Sequence, residues 1–159
     1  MKSVTIDLKP IITAIIIPLA VGGLSAGLSG DTEAVYSELN KPPLSPPSGL
    51  FPIVWAILYI LMGISSYIIW DNYRKTGNGR TAITIYAIQL VVNFFWSIIF
   101  FGCGQPFIAL IVLLILIALV VAMIISFGNI SPTAAALQIP YLIWCIFAGY
   151  LNYSFWVLN

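Results

Sequence analysis

Ile108-Ala-Leu-Ile-Val-Leu-Leu-Ile-Leu-Ile-Ala-Leu-Val-Val121 decides the fold class. A helix on the surface of a soluble protein carries a polar face at the 3.6-residue period, whereas this stretch is apolar all round. With its flanks, residues 106–127, it supplies the roughly 20 apolar residues that a helix needs to cross the hydrocarbon core of a bilayer.

Four more stretches read the same way, at about residues 10–28, 50–70, 81–101 and 132–156. Only 7% of the 159 residues are charged and 61% are hydrophobic, while a soluble domain carries about 25% charged residues to face water. Nothing after Arg80 is charged. The sequence therefore predicts an all-α membrane protein, a bundle of five transmembrane helices forming a single domain over residues 1–159. The competing reading of the first stretch as a cleaved signal peptide is disfavoured, because the apolar run exceeds about 15 residues and Lys9 abuts it. Gly23 and Gly27 within it form a small-xxx-small pair expected to pack against another helix.

Composition also excludes functions. A net charge of +1 gives no reason to expect a nucleic-acid partner. There is no histidine, which removes the commonest metal ligand and the usual general base, and no metal site is expected. The predicted spans hold no carboxylate, lysine or arginine to carry coupling charge, which argues against driven transport and against hydrolysis by paired carboxylates. Cys103 and Cys145 lie in apolar surroundings and suggest no disulfide framework.

Three of the stretches carry polar and aromatic residues on one helical face: Trp55, Tyr59, Met62 and Ser66; Gln89, Asn93, Trp96 and Ser97; Tyr141, Trp144, Ala148 and Asn152. A polar group in hydrocarbon needs a partner, so these faces should point inward and line a neutral, aromatic cavity or bind the helices together. Trp70, Tyr73, Tyr150, Tyr153 and Trp156, near helix ends, fit an interfacial belt. The loop at residues 29–49 begins with a short helical pattern after Asp31 and continues as Lys41-Pro-Pro-Leu-Ser-Pro-Pro47, stiff enough to cap the bundle at small entropic cost.

The block Leu39-Asn-Lys-Pro-Pro-Leu-Ser-Pro-Pro47 with Phe51-Pro-Ile-Val-Trp55-Ala-Ile-Leu-Tyr59-Ile-Leu-Met-Gly63 resembles the translocator protein family, also called TSPO, the tryptophan-rich sensory protein or the peripheral benzodiazepine receptor. Gln89-Leu-Val-Val-Asn93-Phe-Phe-Trp96 and Pro140-Tyr141-Leu-Ile-Trp144-Cys-Ile-Phe147-Ala148 are similar to its third and fifth helices. The resemblance implies a homodimeric five-helix protein that binds porphyrins (protoporphyrin IX, haem), isoquinoline carboxamides and benzodiazepines as ligands, with no required cofactor. It carries the pocket onto Tyr36, Pro46, Trp55, Asn93, Trp144 and Ala148; the inward faces add Tyr59, Gln89 and Trp96. Asn93 is the expected hydrogen-bond donor to ligand.

The resemblance also leaves three activities open: a tetrapyrrole sensor or scavenger, an enzyme degrading porphyrin in light through Trp55 and Trp144, and a passive tetrapyrrole or sterol translocator. Val35 and Leu44 stand where the family often has tryptophan, which weakens porphyrin contact by the loop. Tyr150 and Tyr153 are followed by no basic residue, so no sterol site of the leucine–tyrosine–basic type is expected. A prokaryotic member of the family would lie in the cell membrane and a eukaryotic one in the mitochondrial outer membrane.

Lysine and arginine are retained on the cytoplasmic side. Lys2, Lys9, Arg74, Lys75 and Arg80 share one side of a five-span chain and Lys41 stands alone opposite, so the N-terminus is expected inside and the C-terminus outside. Reporter fusions at Asn159 and within residues 74–80 should report opposite sides of the membrane; both on one side would contradict five spans.

Overall fold

The structure, a computed structural model, describes residues 7–159; Lys2, one of the basic residues used for orientation, lies outside them. Its described part contains five helices long and apolar enough to cross a membrane, Leu8–Leu28, Leu50–Thr76, Arg80–Gly102, Pro106–Gly128 and Pro132–Leu158. Their outer faces carry exposed Ile12, Ile16, Leu24, Ile111, Ile115 and Ile143, which only a lipid surround makes favourable.

Helix α1 is Leu8–Leu28, α2 the short Thr32–Glu38 of the first loop, α3 Leu50–Thr76, α4 Arg80–Ser97 and α5 Pro106–Gly128. The last span is broken into α6, Pro132–Ala136, and α7, Ile139–Leu158. The sequence pattern suggested one continuous helix there. Pro140 has no N–H to offer the Ala136 carbonyl, and its ring would clash with that carbonyl, so the chain kinks through Leu137 and Gln138 first. Helix α3 runs past the expected Trp70 to Thr76, where Gly77 adopts φ 75° and its N–H closes on the Tyr73 carbonyl at 2.8 Å. Asp71 and Lys75, paired at i and i+4, support that last turn.

Helix α4 ends in a widened π turn over Ile98–Gly102, in which the Cys103 N–H bonds the Ile98 carbonyl, five residues back, at 2.8 Å. Such a turn slips one extra residue into the helix and re-aims the side chains beyond it.

Around the bundle, α1 packs on α3 and α4, α4 on α5, and α5 on α7. The ring closes differently at its two ends. Toward the end carrying Lys9 and the Asp71–Arg80 turn, here the basic end, α6 packs on α3 and the Ser65 hydroxyl donates to the Ala134 carbonyl at 2.7 Å. Met62, Ile69, Leu116, Val120, Met123 and Phe127 are fully buried. Toward the other end, here the loop end, α3 and α7 meet through aromatic side chains and not through close backbone approach: Trp55 lies 6.2 Å from Tyr141 and Phe51 5.9 Å from Trp144, ring centre to ring centre.

The close seam is α1 against α3. A Cβ on Gly63 would sit 2.4 Å from the Ile15 Cα and 2.8 Å from the Ala14 carbonyl oxygen. That carbonyl is the one Pro18, inside α1, leaves without its helical N–H partner. The small-xxx-small pair expected to pack does not: a Cβ on Gly23 or Gly27 would meet nothing within 4 Å. Both glycines are exposed. Gly22 is the glycine of α1 that faces inward, against the Tyr59 ring. Gly63→Ala should therefore lower stability by about 1–3 kcal/mol, the cost of overpacking against backbone, while Gly23→Ala leaves the melting temperature unchanged or slightly raised. Thermal unfolding in detergent reads both, and equal behaviour of the two variants would contradict the seam.

Candidate ligand-binding site

The side chains that hold the middle of the bundle form one hydrogen-bonded file. Tyr59 of α3 donates to the Asn93 side-chain oxygen at 2.8 Å, the Asn93 Nδ2 donates to the Tyr141 hydroxyl at 2.8 Å, and that hydroxyl donates to the Gln89 Oε1 at 2.8 Å. Asn93 is 3% exposed, Gln89 0% and Tyr141 1%. Three helices are thereby locked in register by partners that neutral groups in hydrocarbon require.

Above this file, toward the loop end, the helices part around an apolar cavity of about 450 Å³, within the range typical of small-molecule sites. Trp55 and Tyr59 stack at 5.5 Å on the α3 side, and Trp96 lies 6.3 Å from Trp55 across the bundle. Trp144 and Ala148 furnish the α7 wall. Small residues of α1, Gly22, Gly23 and Ala26, leave room on the remaining side.

The loop roofs this cavity. Asp31 caps α2 by accepting from the Ala34 N–H at 3.0 Å, which turns Tyr36 inward. Tyr36 is 4% exposed, packs edge-on against Phe51 and Phe155 at 5.2 and 5.8 Å, and donates its hydroxyl to the Pro46 carbonyl at 2.6 Å. Burial pushes the Tyr36 phenol above its ordinary pKa, against a smaller opposite effect of the Ser45 side chain, so it stays a donor at neutral pH. Two further ties dock the loop on α7: Tyr150 donates to the Pro43 carbonyl at 2.8 Å, and the Asn40 N–H donates to the Asn159 side-chain oxygen at 2.9 Å.

Of the residues picked from sequence, Tyr36, Trp55, Tyr59, Trp96, Trp144 and Ala148 line this one cavity. Pro46 contributes a carbonyl behind Tyr36 and not a wall. Gln89 and Asn93 belong to the buried file beneath the floor, and both ends of the Asn93 amide are already engaged within the protein.

Several wall residues were not singled out in the sequence. Phe51 lies one turn before Trp55, and Phe100 one turn after Trp96, stacked on it at 6.0 Å, so the helical spacing could have found both. Phe101 also reaches the wall, from within the π turn, which no spacing rule anticipates. Asn152, which the sequence did place on an inward face, accepts from the Trp96 indole at 3.1 Å and donates to the Pro106 carbonyl at 2.8 Å, tying α4, α7 and the start of α5 at the cavity edge.

A charge-poor bundle of five spans, with an aromatic cavity under a docked loop, defines a multi-pass membrane protein with a candidate ligand-binding site. The TspO/MBR family profile matches residues 14–157. The chain is 35% identical to the tryptophan-rich protein TspO of Chlorobaculum tepidum over 142 residues, 86% of this chain and 90% of that one. It is 39% identical to the translocator protein of Bos taurus over 127 residues, 78% and 74% of the two chains. With the TspO protein of Archaeoglobus fulgidus it shares 33% identity over 154 residues, 96% and 99% of the two chains. The chain belongs to the TspO/MBR family.

The file beneath the floor predicts how Asn93 behaves. Asn93→Leu strands the Tyr59 hydroxyl in hydrocarbon and should cost about 1–3 kcal/mol of stability, and Tyr59→Phe, which removes only the hydroxyl, about 1 kcal/mol. Thermal melting of the two variants checks this; an Asn93→Leu protein that melts like the parent but loses ligand affinity would make Asn93 a direct ligand contact instead.

Proposed function

We propose that the protein is a membrane receptor or sensor that binds porphyrins, and other flat apolar ligands of the isoquinoline carboxamide and benzodiazepine type, in the loop-end cavity. What carries this proposal is the wall: indoles and phenyl rings from three spans surround a space free of charged side chains except at its rim, where Glu33 accepts a hydrogen bond from the Ser48 hydroxyl at 3.2 Å. Such a wall suits a planar aromatic ligand, since stacking adds about 0.5–1.5 kcal/mol per ring pair beyond area burial. Family membership supports the same ligand class.

The proposal extends to assembly and placement: a homodimer, with the basic end in the cytoplasm when the host membrane is a prokaryotic cell membrane. A second activity, light-dependent porphyrin degradation, is favoured by one observation. Trp55 and Trp144 line the same cavity, so a single bound macrocycle can touch both indoles, the side chains best able to give up an electron to an excited porphyrin.

Titration of the purified protein with protoporphyrin IX, in the dark and under light, separates the readings. Saturable dark binding without a product supports the receptor; a new absorbing species under light supports the enzyme; no saturable binding contradicts both. Trp55→Phe and Trp144→Phe keep an aromatic face and should leave dark affinity within about threefold while lowering any photochemical loss. Equal loss of affinity and photochemistry would reduce the indoles to shaping the wall.

A further inference from the structure

A second opening lies at the basic end, unconnected with the loop-end cavity. It is a cleft of about 570 Å³ between α1, α3, α4 and α5, whose polar features are arranged by depth. Lys9 and Arg74 stand at its mouth. Both are exposed, and among the described residues neither is in an ion pair, whereas Lys75 beside them is neutralised by Asp71. No carboxylate lines the cleft.

Further in, Tyr86 of α4 presents a hydroxyl that is buried and has no hydrogen-bond partner, in a residue 9% exposed. A donor held there in hydrocarbon costs about 1–3 kcal/mol unless something accepts from it. Tyr86 sits six residues along α4 from Arg80, about 9 Å further into the membrane at the helical rise. Around it the lining is mostly apolar, with Ile17, Ile69 and Ile83; the two hydroxyls nearby are turned back on their own helices, Thr13 donating to the Lys9 carbonyl and Ser66 to the Gly63 carbonyl, each at 2.9 Å.

Charge at the membrane surface, an unpartnered hydroxyl below it and a mostly apolar lining around that are the complement of one kind of molecule. A glycerophospholipid carries its phosphate at the surface, ester carbonyls that accept but cannot donate just beneath, and acyl chains under those. We propose that this cleft is a binding site for an anionic glycerophospholipid of the leaflet at the basic end, its phosphate between Lys9 and Arg74, an ester carbonyl accepting from Tyr86, and an acyl chain against Ile17 and Ile83. A fatty acid brings the charge but no second acceptor at depth, and a free phosphate reaches only the mouth. The general attraction of basic loops for anionic lipid accounts for the two cations and leaves the buried hydroxyl unexplained.

Trp70 lines the cleft and reports on it, since the other four tryptophans, Trp55, Trp96, Trp144 and Trp156, lie toward the loop end. The full chain is reconstituted in phosphatidylcholine vesicles, with phosphatidylglycerol or phosphatidylcholine brominated near the ester end of its acyl chains as quencher. The Trp70 signal is the difference between the parent and Trp70→Phe. Quenching of Trp70 by the brominated phosphatidylglycerol should reach half its maximum at about tenfold lower mole fraction than for brominated phosphatidylcholine. The paired change Lys9→Gln and Arg74→Gln should abolish that preference, and Tyr86→Phe, which keeps the ring and the charges, should reduce it several-fold. Equal quenching by the two lipids would overturn the site. So would a preference that Tyr86→Phe leaves intact, which is surface attraction alone, or one that inorganic phosphate or oleate competes away at equal concentration.

Discussion

The hydrogen-bonded file from Tyr59 through Asn93 and Tyr141 to Gln89 is the constraint on which the rest of the bundle depends. Among the described residues no ion pair joins two helices, and lipid supplies no hydrophobic force between them. Specific register must then come from close packing and from neutral hydrogen bonds. The file fixes α3, α4 and α7 relative to one another at mid-membrane. Gly63 against the backbone of α1 fixes the remaining seam.

From that level the bundle develops differently in each direction. Toward the basic end, methionine, leucine and phenylalanine fill the interior between α3, α5 and α7, α6 packs on α3, and the open space lies instead in the cleft beside α1. Toward the loop end the same helices are held apart by aromatic rings that meet mostly edge-on or tilted, and a cavity results. The loop then closes over it, braced internally by the Tyr36 bond to the Pro46 carbonyl and tied to α7 by Tyr150 on the Pro43 carbonyl and by reciprocal bonds between Asn40 and Asn159. The loop-end cavity is thus a consequence of where the polar file stops.

The five spans were legible because hydrocarbon imposes a length and composition that few other environments permit. The inward faces were legible for the same reason: Tyr59, Gln89, Asn93, Tyr141 and Asn152 are buried as their 3.6-residue spacing required. What spacing could not convey was depth. Asn93 and Trp96 share a face of α4, yet one lies under the floor and the other on the wall, because only the three-dimensional meeting of α3, α4 and α7 sets the floor's level. The π turn that brings Phe101 to the wall and the break before Pro140 also escaped, since both are departures from the period on which the expectation was built. Gly23 and Gly27 failed for a further reason: a small pair permits close approach, and rotation of α1, set by Gly22 against Tyr59, decided that a different glycine would use it.

The most direct measurement is an experimentally determined structure of the protein saturated with protoporphyrin IX in the dark. The account predicts one macrocycle per chain inside the loop-end cavity, within stacking distance of Trp55 and Trp144, with the hydrogen bonds among Tyr59, Asn93, Tyr141 and Gln89 unbroken beneath it. A macrocycle held on the outer, lipid-facing surface, or one that enters only by drawing the Asn93 amide out of its bonds, would contradict it.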